Sequence, residues 1–430
     1  MFTFELKNDN VYNTYSMALI SSIIFYIIIF LIVYVQVFFL VTFFENRKKI
    51  ITRKGTLKLN NYPRVTVIVP GYNEEKTIYK TVQSLLSLNY PKDKINIILV
   101  DDGSTDGTLQ IMEGFTTYSN IKVFHKENGG KHTALNLGLL QTTTDFVGCL
   151  DADSFVHKEA LVRIMSYFEQ DPSTMAVTPS LVVHNSKNII QHAQKIEYHM
   201  SVYFKKMLGF LGGIHVTPGP LTIFRKKVFN DLGHYHQAHN TEDMEIAYRM
   251  QKNHYKIEHC NDAYVYTNTP LTVKKLYKQR LRWIYGFINN SIDYKNILLK
   301  RQYGNFSFFT IPSGIISIFA ASFLFGKVVY NLGDFLYSKI IQFNTVGFNF
   351  LNPFNNFDLF FLNTQSFIFL IIMIYILVIF STVIGRNLAE GTWGVSFHVV
   401  YFFSIFSIIA PFWLMRAIYN TAISKKPSWR

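Results

Sequence analysis

Asp145-Phe-Val-Gly-Cys-Leu-Asp-Ala-Asp-Ser154 decides the fold. A mostly apolar run ends abruptly in Asp151-Ala152-Asp153, as a buried parallel strand does when it carries two carboxylates to the carboxyl edge of a sheet. Side chains alternate along a strand, so this spacing puts Asp151 and Asp153 on the same side. Paired hard oxygen ligands suit Mg²⁺ or Mn²⁺, which in turn can hold a diphosphate. Acidic pairs also occur on ordinary surfaces, so the neighbouring segments decide the reading.

Upstream, strand and helix signals alternate. Val65–Val69 is a short β-branched run stopped by Pro70-Gly71, and Lys76–Leu88 has helical spacing at Ile78, Val82, Leu85 and Leu86. Ile95–Val100 reads as a second buried strand ending in Asp101-Asp102. Thr108–Phe115 reads as helix, Ile121–Phe124 as strand and Thr133–Leu140 as helix. This order predicts an α/β domain with a mostly parallel sheet. Ligands bind such sheets at the carboxyl ends of the strands. The clusters Tyr72-Asn73-Glu74, Asp101-Asp102 and Asp151-Ala152-Asp153 should therefore meet on one edge. Between them, Gly129-Gly130-Lys131 at a helix start can approach and neutralise a phosphate. Walker A spacing is absent, and a turn with a solvated lysine is the plain alternative.

Downstream, residues 188–212 place Ile189, Ala193, Ile196, Met200, Phe204, Met207 and Leu211 three or four apart, with Gln191, Lys195, Lys205 and Lys206 on other faces. Such a helix either lies along a membrane interface or packs on the domain core. Leu221–Phe224 reads as another strand. His234, His236 and His239 lack an acidic or cysteine partner at ligand spacing, so that stretch reads as a loop. Thr241-Glu242-Asp243 opens a helical Met244–Lys252, where a carboxylate either favours the helix start or does chemistry. Residues 271–294 are a second basic amphipathic stretch. Within it, Gln279-Arg280-Leu281-Arg282-Trp283 brings guanidinium groups and an indole close enough to grip an anion and stack on a ring.

The 430 residues are 49% hydrophobic, and the apolar ones crowd into the beginning and the last third. Met17–Phe44 is long enough to cross a bilayer. A signal peptide would have a shorter apolar core, with basic residues before it rather than after. Arg47, Lys48, Lys49, Arg53, Lys54 and Lys58 follow it, so the positive-inside rule places residues 1–16 outside and the domain at 45–305 in the cytoplasm. Phe306–Tyr330, Phe367–Ile384 and Val395–Met415 are further spans within a membrane region at 306–415. The aromatic-rich Phe335–Leu362 reads as an external loop or as a re-entrant or interfacial helix. Three C-terminal spans put the basic tail at 416–430 outside, whereas its charges favour the inside. The net charge of +14 belongs first to this membrane pattern and not to nucleic acid. Cys149 and Cys260 read as reduced core residues.

Pro70-Gly-Tyr-Asn-Glu74, Asp101-Asp-Gly-Ser104, Gly130-Lys131 with Ala134-Leu-Asn136, Asp151-Ala-Asp153, Thr241-Glu-Asp243 and Gln279-Arg-Leu-Arg-Trp283 occur in the order seen in membrane-embedded family 2 glycosyltransferases. These are the processive relatives of cellulose, chitin-oligosaccharide, hyaluronan and poly-N-acetylglucosamine synthases. Over about Arg64–Tyr294 the chain resembles that family, most of all the poly-β-1,6-N-acetylglucosamine synthases, which usually carry two N-terminal spans where one is read here. The resemblance implies a GT-A fold with flanking transmembrane helices and interfacial helices near 188–212 and 271–294. It implies an inverting hexosyltransferase of the plasma membrane that uses a UDP-sugar and Mg²⁺ or Mn²⁺ to extend a β-linked polysaccharide, with room for a small membrane accessory subunit. By position, Tyr72, Glu74, Asp101 and Asp102 would hold the base and ribose, Lys131 would sit by the donor, and Asp151 and Asp153 would hold the metal-bound diphosphate. Asp243 would be the general base. Gln279, Arg280, Arg282 and Trp283 would flank diphosphate and acceptor, with Arg282 the matching arginine and Glu242 on the acceptor side. A single-transfer enzyme acting on a membrane lipid, and a non-catalytic carbohydrate- or partner-binding protein, are the other readings.

Overall fold

A computed structural model describes residues 2–53, 59–346 and 366–427. It divides into two units, residues 1–40 with 313–378 and residues 41–312 with 379–430. The second holds the sheet and the candidate site.

The chain begins with α1 (Phe2–Arg53), then β1 (Val65–Gly71), α2 (Ile78–Leu86), β2 (Ile95–Asp101), α3 (Thr108–Glu113), β3 (Ile121–His125) and α4 (Lys131–Leu140). It continues through β4 (Phe146–Cys149), β5 (Ser154–Val156), α5 (Ala160–Gln170), β6 (Thr174–Val183), α6 (Ile189–Phe210), β7 (Ile223–Arg225) and α7 (Lys227–Leu232). The remainder is α8 (Glu242–Lys252), β8 (Lys256–Thr267), α9 (Val273–Asp293), α10 (Ile311–Val346), α11 (Ser366–Glu390) and α12 (Val399–Ala422).

Eight strands make one sheet in the order β3-β2-β1-β4-β7-β6-β8-β5. β3, β2, β1 and β4 are parallel, with Val67 opposite both Ile97 and Gly148. β7 pairs antiparallel with β4 and β6, β6 and β8 run parallel, and β5 is antiparallel to β8. Every residue of β1 is buried, because helices cover both faces of a parallel sheet. Val65, Val67 and Val69 share a core with Ile78, Val82 and Leu85 of α2. Ile68 points the other way and meets α4 so closely that a Cβ on Gly138 would lie 2.5 Å from its Cγ2. Cys149 and Cys260 are buried free thiols.

Three expectations change. Asp151 and Asp153 are not on a strand: Leu150 N donates the last ladder bond to Ile68 O at 2.9 Å, and the chain then turns, with Ser154 N on Asp151 O at 3.0 Å. The turn, and not strand alternation, sets their directions. Residues 2–16, whose polar composition reads as a weakly ordered tail, are helical instead, since nothing in Phe2–Arg53 breaks the helix. Likewise Phe335–Val346 continues α10 without interruption; 347–365 lie outside the described residues.

α6 starts at Asn188, whose side chain accepts Gln191 N, and packs against β6 and β8 on one side and α12 on another. Covered on two sides, it buries Gln191, His199 and Lys206 as well as Ala193, Ile196 and Met207. Lys206, assigned to a polar face by periodicity, donates to His259 O at 3.0 Å and Tyr167 Oη at 3.2 Å. Among the described residues, four stretches are long and apolar enough to cross a bilayer: Leu19–Ile50, Phe306–Thr345, Phe369–Glu390 and Val399–Ala422.

Candidate active site

The parallel half of the sheet sets the carboxyl ends of β2, β1 and β4 side by side, and the loops beyond them are stitched together. Asn73 takes a left-handed conformation (φ 56°). Its Oδ1 accepts Thr105 N at 2.8 Å and its own N–H donates to Ser104 Oγ at 3.0 Å. That bridge fixes Tyr72 and Glu74 on either side. The Glu74 carboxylate accepts Thr77 Oγ1 at 2.9 Å.

Asp101 is fully buried, with Oδ2 holding His125 Nδ1 at 2.7 Å and Ser104 N at 3.1 Å. Its Oδ1 is buried with no hydrogen-bond partner. Asp102 accepts Lys126 Nζ at 2.7 Å and the N–H groups of Gly129 and Gly130 at 3.1 and 2.9 Å. The glycine pair that the sequence offers as a phosphate cradle thus spends both donors on Asp102. Its effect is to aim Lys131 from the start of α4.

Lys131 Nζ lies 2.6 Å from Asp151 Oδ1 and 3.4 Å from Glu242 Oε1. Burial opposes its charge, but Asp151 and then Glu242 hold it protonated, above the ordinary lysine range. It is not a solvated lysine. A Cβ on Gly219 would sit 2.6 Å from both Lys131 Nζ and Asp151 Oδ1, so a side chain there would push these two charged ends from their present places. Burial first, then the charges of Asp151 and Glu74, push the Asp153 carboxyl up to about 7. Crowded carboxylates in a buried site fit Mg²⁺ or Mn²⁺, whose charge would relieve the repulsion. Among the described residues no three His, Cys, Asp or Glu side chains form a metal cage. A hard cation bound by one or two carboxylates keeps positions for substrate phosphates. The histidine-rich loop is otherwise engaged: His239 pairs with Asp293 at 2.8 Å and His236 faces Glu245 at 3.5 Å.

Asp243 opens α8, and Thr217 donates to its backbone oxygen through N at 3.0 Å and Oγ1 at 2.7 Å. Burial first and Glu242 second raise its carboxyl to about 6, against the pull of Lys131 and Arg282. A half-buried carboxylate in that range can take a proton near neutral pH. Thr241, at the N-cap, makes no side-chain capping bond. α9 presses on this turn: a Cβ on Gly286 would meet Thr241 at 2.4 Å.

The two arginines of α9 diverge. Arg282 donates to Asn240 O at 2.8 Å and acts electrostatically on Asp243. Arg280 is buried, grips both carboxylate oxygens of Glu197 on α6, and lies 4.1 Å from the Trp283 ring centroid. Its Nη1 also donates to Gln279 Oε1 at 2.6 Å. Arg280 therefore joins α9 to α6. Replacing Glu197 with Ala should strand that buried guanidinium at a cost of about 2 kcal/mol, discounted because Glu197 is partly exposed. The expected readout is a lower melting temperature that added donor nucleotide does not restore.

Sequence reasoning missed Thr217, Gly219 and Tyr198. Tyr198 sits among Arg280, Glu197 and Asp153, and its hydroxyl is pushed up to about 12, chiefly by burial. For Thr217 and Gly219 the one signal the sequence offers is the density of glycine and proline in Gly209–Pro220.

Residues 66–233 match the family described as Glycosyl transferase family 2. The chain carries a family 2 glycosyltransferase domain. It is 31% identical over 238 residues to a poly-β-1,6-N-acetyl-D-glucosamine synthase of Staphylococcus aureus, covering 55% of this chain and 57% of that one. A synthase of the same name from Staphylococcus epidermidis is 32% identical over 224 residues, 52% of this chain and 54% of the relative. The chain thus spans about half the length of the curated relatives it matches. A mannosyltransferase from Pyrobaculum calidifontis, in complex with GDP-Man and Mn²⁺, superposes with a TM-score of 0.57 at 15% identity, over 93% of this chain and 99% of that one. This likeness shows the GT-A fold of the glycosyltransferase domain. Asp243, Gln279, Arg282 and Trp283 lie beyond the family match; folding brings Asp243 and Arg282 into the charge cluster around Lys131 and Asp151.

Proposed function

We propose that the protein is an inverting, metal-dependent glycosyltransferase that adds sugar from a UDP-sugar, N-acetylglucosamine above others, to the growing end of a β-linked polysaccharide and passes the product across the membrane. The observation that carries this reading is Asp243. It is a half-buried carboxylate raised to about 6, and it shares Lys131 as an electrostatic partner with Asp151 of the D-x-D turn. Asp243 would serve as the base and Asp151, with its cation, as the anion-holding group of one cluster.

The chemistry follows from that arrangement. An acceptor hydroxyl gives its proton to Asp243, its oxygen bonds to the anomeric carbon, and the bond from that carbon to the UDP oxygen breaks. Lys131 and Arg282 offset the charge that gathers on the leaving diphosphate. Asp151 and Asp153 would hold Mg²⁺ or Mn²⁺, which supplies Lewis-acid stabilisation of the same diphosphate. Tyr72, Glu74 and Asp101 lie at the strand ends where the nucleoside would bind. Asp102 serves indirectly, because its carboxylate is occupied by the loop that aims Lys131. Trp283 offers a flat face to a sugar ring, and Gln279 and Glu242 complete the wall. N-acetylglucosamine is favoured because the two curated relatives bear that sugar in their names. Passage across the bilayer rests on the candidate spans being long and apolar enough to cross it, and the basic residues after the first span face the domain to the cytoplasm.

The test is to incubate the purified protein with Mn²⁺ or Mg²⁺ and each UDP-sugar, and to measure UDP release and product size. Release with one sugar and a high-molecular-weight product is expected. A discrete short product on a lipid would replace the polymer reading with single transfer. The absence of metal-dependent turnover would overturn the reading altogether.

A further inference from the structure

Lys205 on α6, His215 in the chain between α6 and β7, and Asp243 at the start of α8 form one electrostatic cluster. The loop carrying His215 is pinned on both sides of it. Thr217 is bonded twice to Asp243 O. Ile214 O accepts Gln251 Nε2 of α8 at 2.9 Å, and the Ile214 side chain packs on Gly209 of α6. Phe287 of α9 meets the His215 ring edge-on, with centroids 5.9 Å apart. Lys205 and His215 are half-buried against this frame.

Neither polar group is used by the fold. Lys206 next door is fully engaged, but Lys205 makes no hydrogen bond or ion pair among the described residues. His215 Nδ1 is buried without a partner. Polar groups withdrawn from water and left unpaired cost free energy, which a polar ligand recovers by pairing with them. Burial pulls the Lys205 ammonium down to about 8, and the charge of Asp243 opposes this. Burial and the neighbouring Lys205 pull His215 down to about 4. His259 on β8 is likewise held neutral by burial and by Lys205 and Lys206. At neutral pH the cluster therefore offers an ammonium with three donors, an imidazole that both donates and accepts, and a carboxylate that takes a proton. That set matches the hydroxyl and amide oxygens of a neutral sugar. The diphosphate has its own cations in Lys131 and Arg282.

Resting on the glycosyltransferase reading above, we infer that Lys205 and His215 form an acceptor subsite, holding the hydroxyl and amide oxygens of the sugar whose attacking hydroxyl Asp243 deprotonates. They are binding groups, set apart from the metal-holding turn. They determine whether an activated donor is transferred to sugar or lost to water.

The experiment follows the full-length protein with UDP-N-acetylglucosamine and Mn²⁺, and compares UDP released with sugar incorporated into product. In Lys205→Met and His215→Phe the incorporated fraction should fall at least tenfold, while the donor KM and the metal dependence of UDP release stay unchanged. Lys205→Arg should recover a third or more of the transfer. Transfer by the wild type should decline above about pH 8 as Lys205 loses its proton; this limb should move upward in Lys205→Arg and vanish in Lys205→Met. An unchanged partition, a matching change in donor KM, or an alkaline limb that survives in Lys205→Met would overturn the subsite. If Lys205→Met does not fold, Lys205→Arg and the wild-type pH profile decide alone. Wild-type protein that turns over no UDP-sugar would remove the function reading first and the subsite with it.

Discussion

Replacing Asp243 with Asn should lower sugar transfer by about 10³-fold while leaving nucleotide affinity within a factor of about three, the magnitude a general base contributes. Asparagine keeps the shape and cannot accept the proton. The substitution also removes a negative charge held against Glu242 in a half-buried place, so the variant should melt no lower than the wild type. This separates loss of chemistry from loss of fold. The pH profile gives an independent check. The folded carboxyl is raised to about 6 by burial and by Glu242, so it holds its proton up to that pH and acts as a base only above it. Turnover should fall tenfold for each unit below about 6, with the slope absent from the residual activity of the variant. Retention of more than a tenth of wild-type turnover in Asp243→Asn would remove Asp243 as the base.

How far this site could be read in advance depended on what each residue touches. The ends of β1, β2 and β4 are legible because a parallel strand buried on both faces is an unbroken apolar run, so the first polar residues after it mark the ligand edge. β6 and β8 escaped that logic. β8 buries His259, Asn261 and Asp262 and shifts register against β6 near Pro179, so neither strand shows a clean run or alternation. α6 misled by periodicity because it is covered on two sides. A buried Lys206 satisfied by Tyr167 and His259 looks, from spacing alone, like a solvated lysine.

The same limit applies within the motifs. Arg280 and Arg282 are two residues apart and chemically identical, yet Glu197, eighty-odd residues upstream, pairs with one of them and not the other. Asp102 is likewise spent on the backbone of Gly129 and Gly130. Residue type and order identify which groups are capable of the chemistry; long-range contacts decide which remain available for it.

That distinction gives a second large effect, of opposite sign in stability and activity. Asp153 is forced above the ordinary carboxylate range by burial and by Asp151 and Glu74, so in the metal-free protein its charge works against the fold. Asp153→Asn should remove that repulsion. With relief on the order of 1–2 kcal/mol, metal-free protein should melt several degrees higher than wild type. Added Mn²⁺ should stabilise the wild type and leave the variant nearly unchanged, because the amide is a poorer ligand for a hard cation and carries no charge to neutralise. Transfer should nevertheless collapse by about 10³-fold, since the diphosphate then leaves with only Lys131 and Arg282 to offset its charge. The melting curves with and without Mn²⁺ are the decisive measurement. A variant less stable than wild type without metal would show that Asp153 is held by the fold for packing, and equal Mn²⁺ shifts in both proteins would place the cation elsewhere. Higher stability with lost transfer is what a carboxylate kept for its cation, at the fold's expense, must produce.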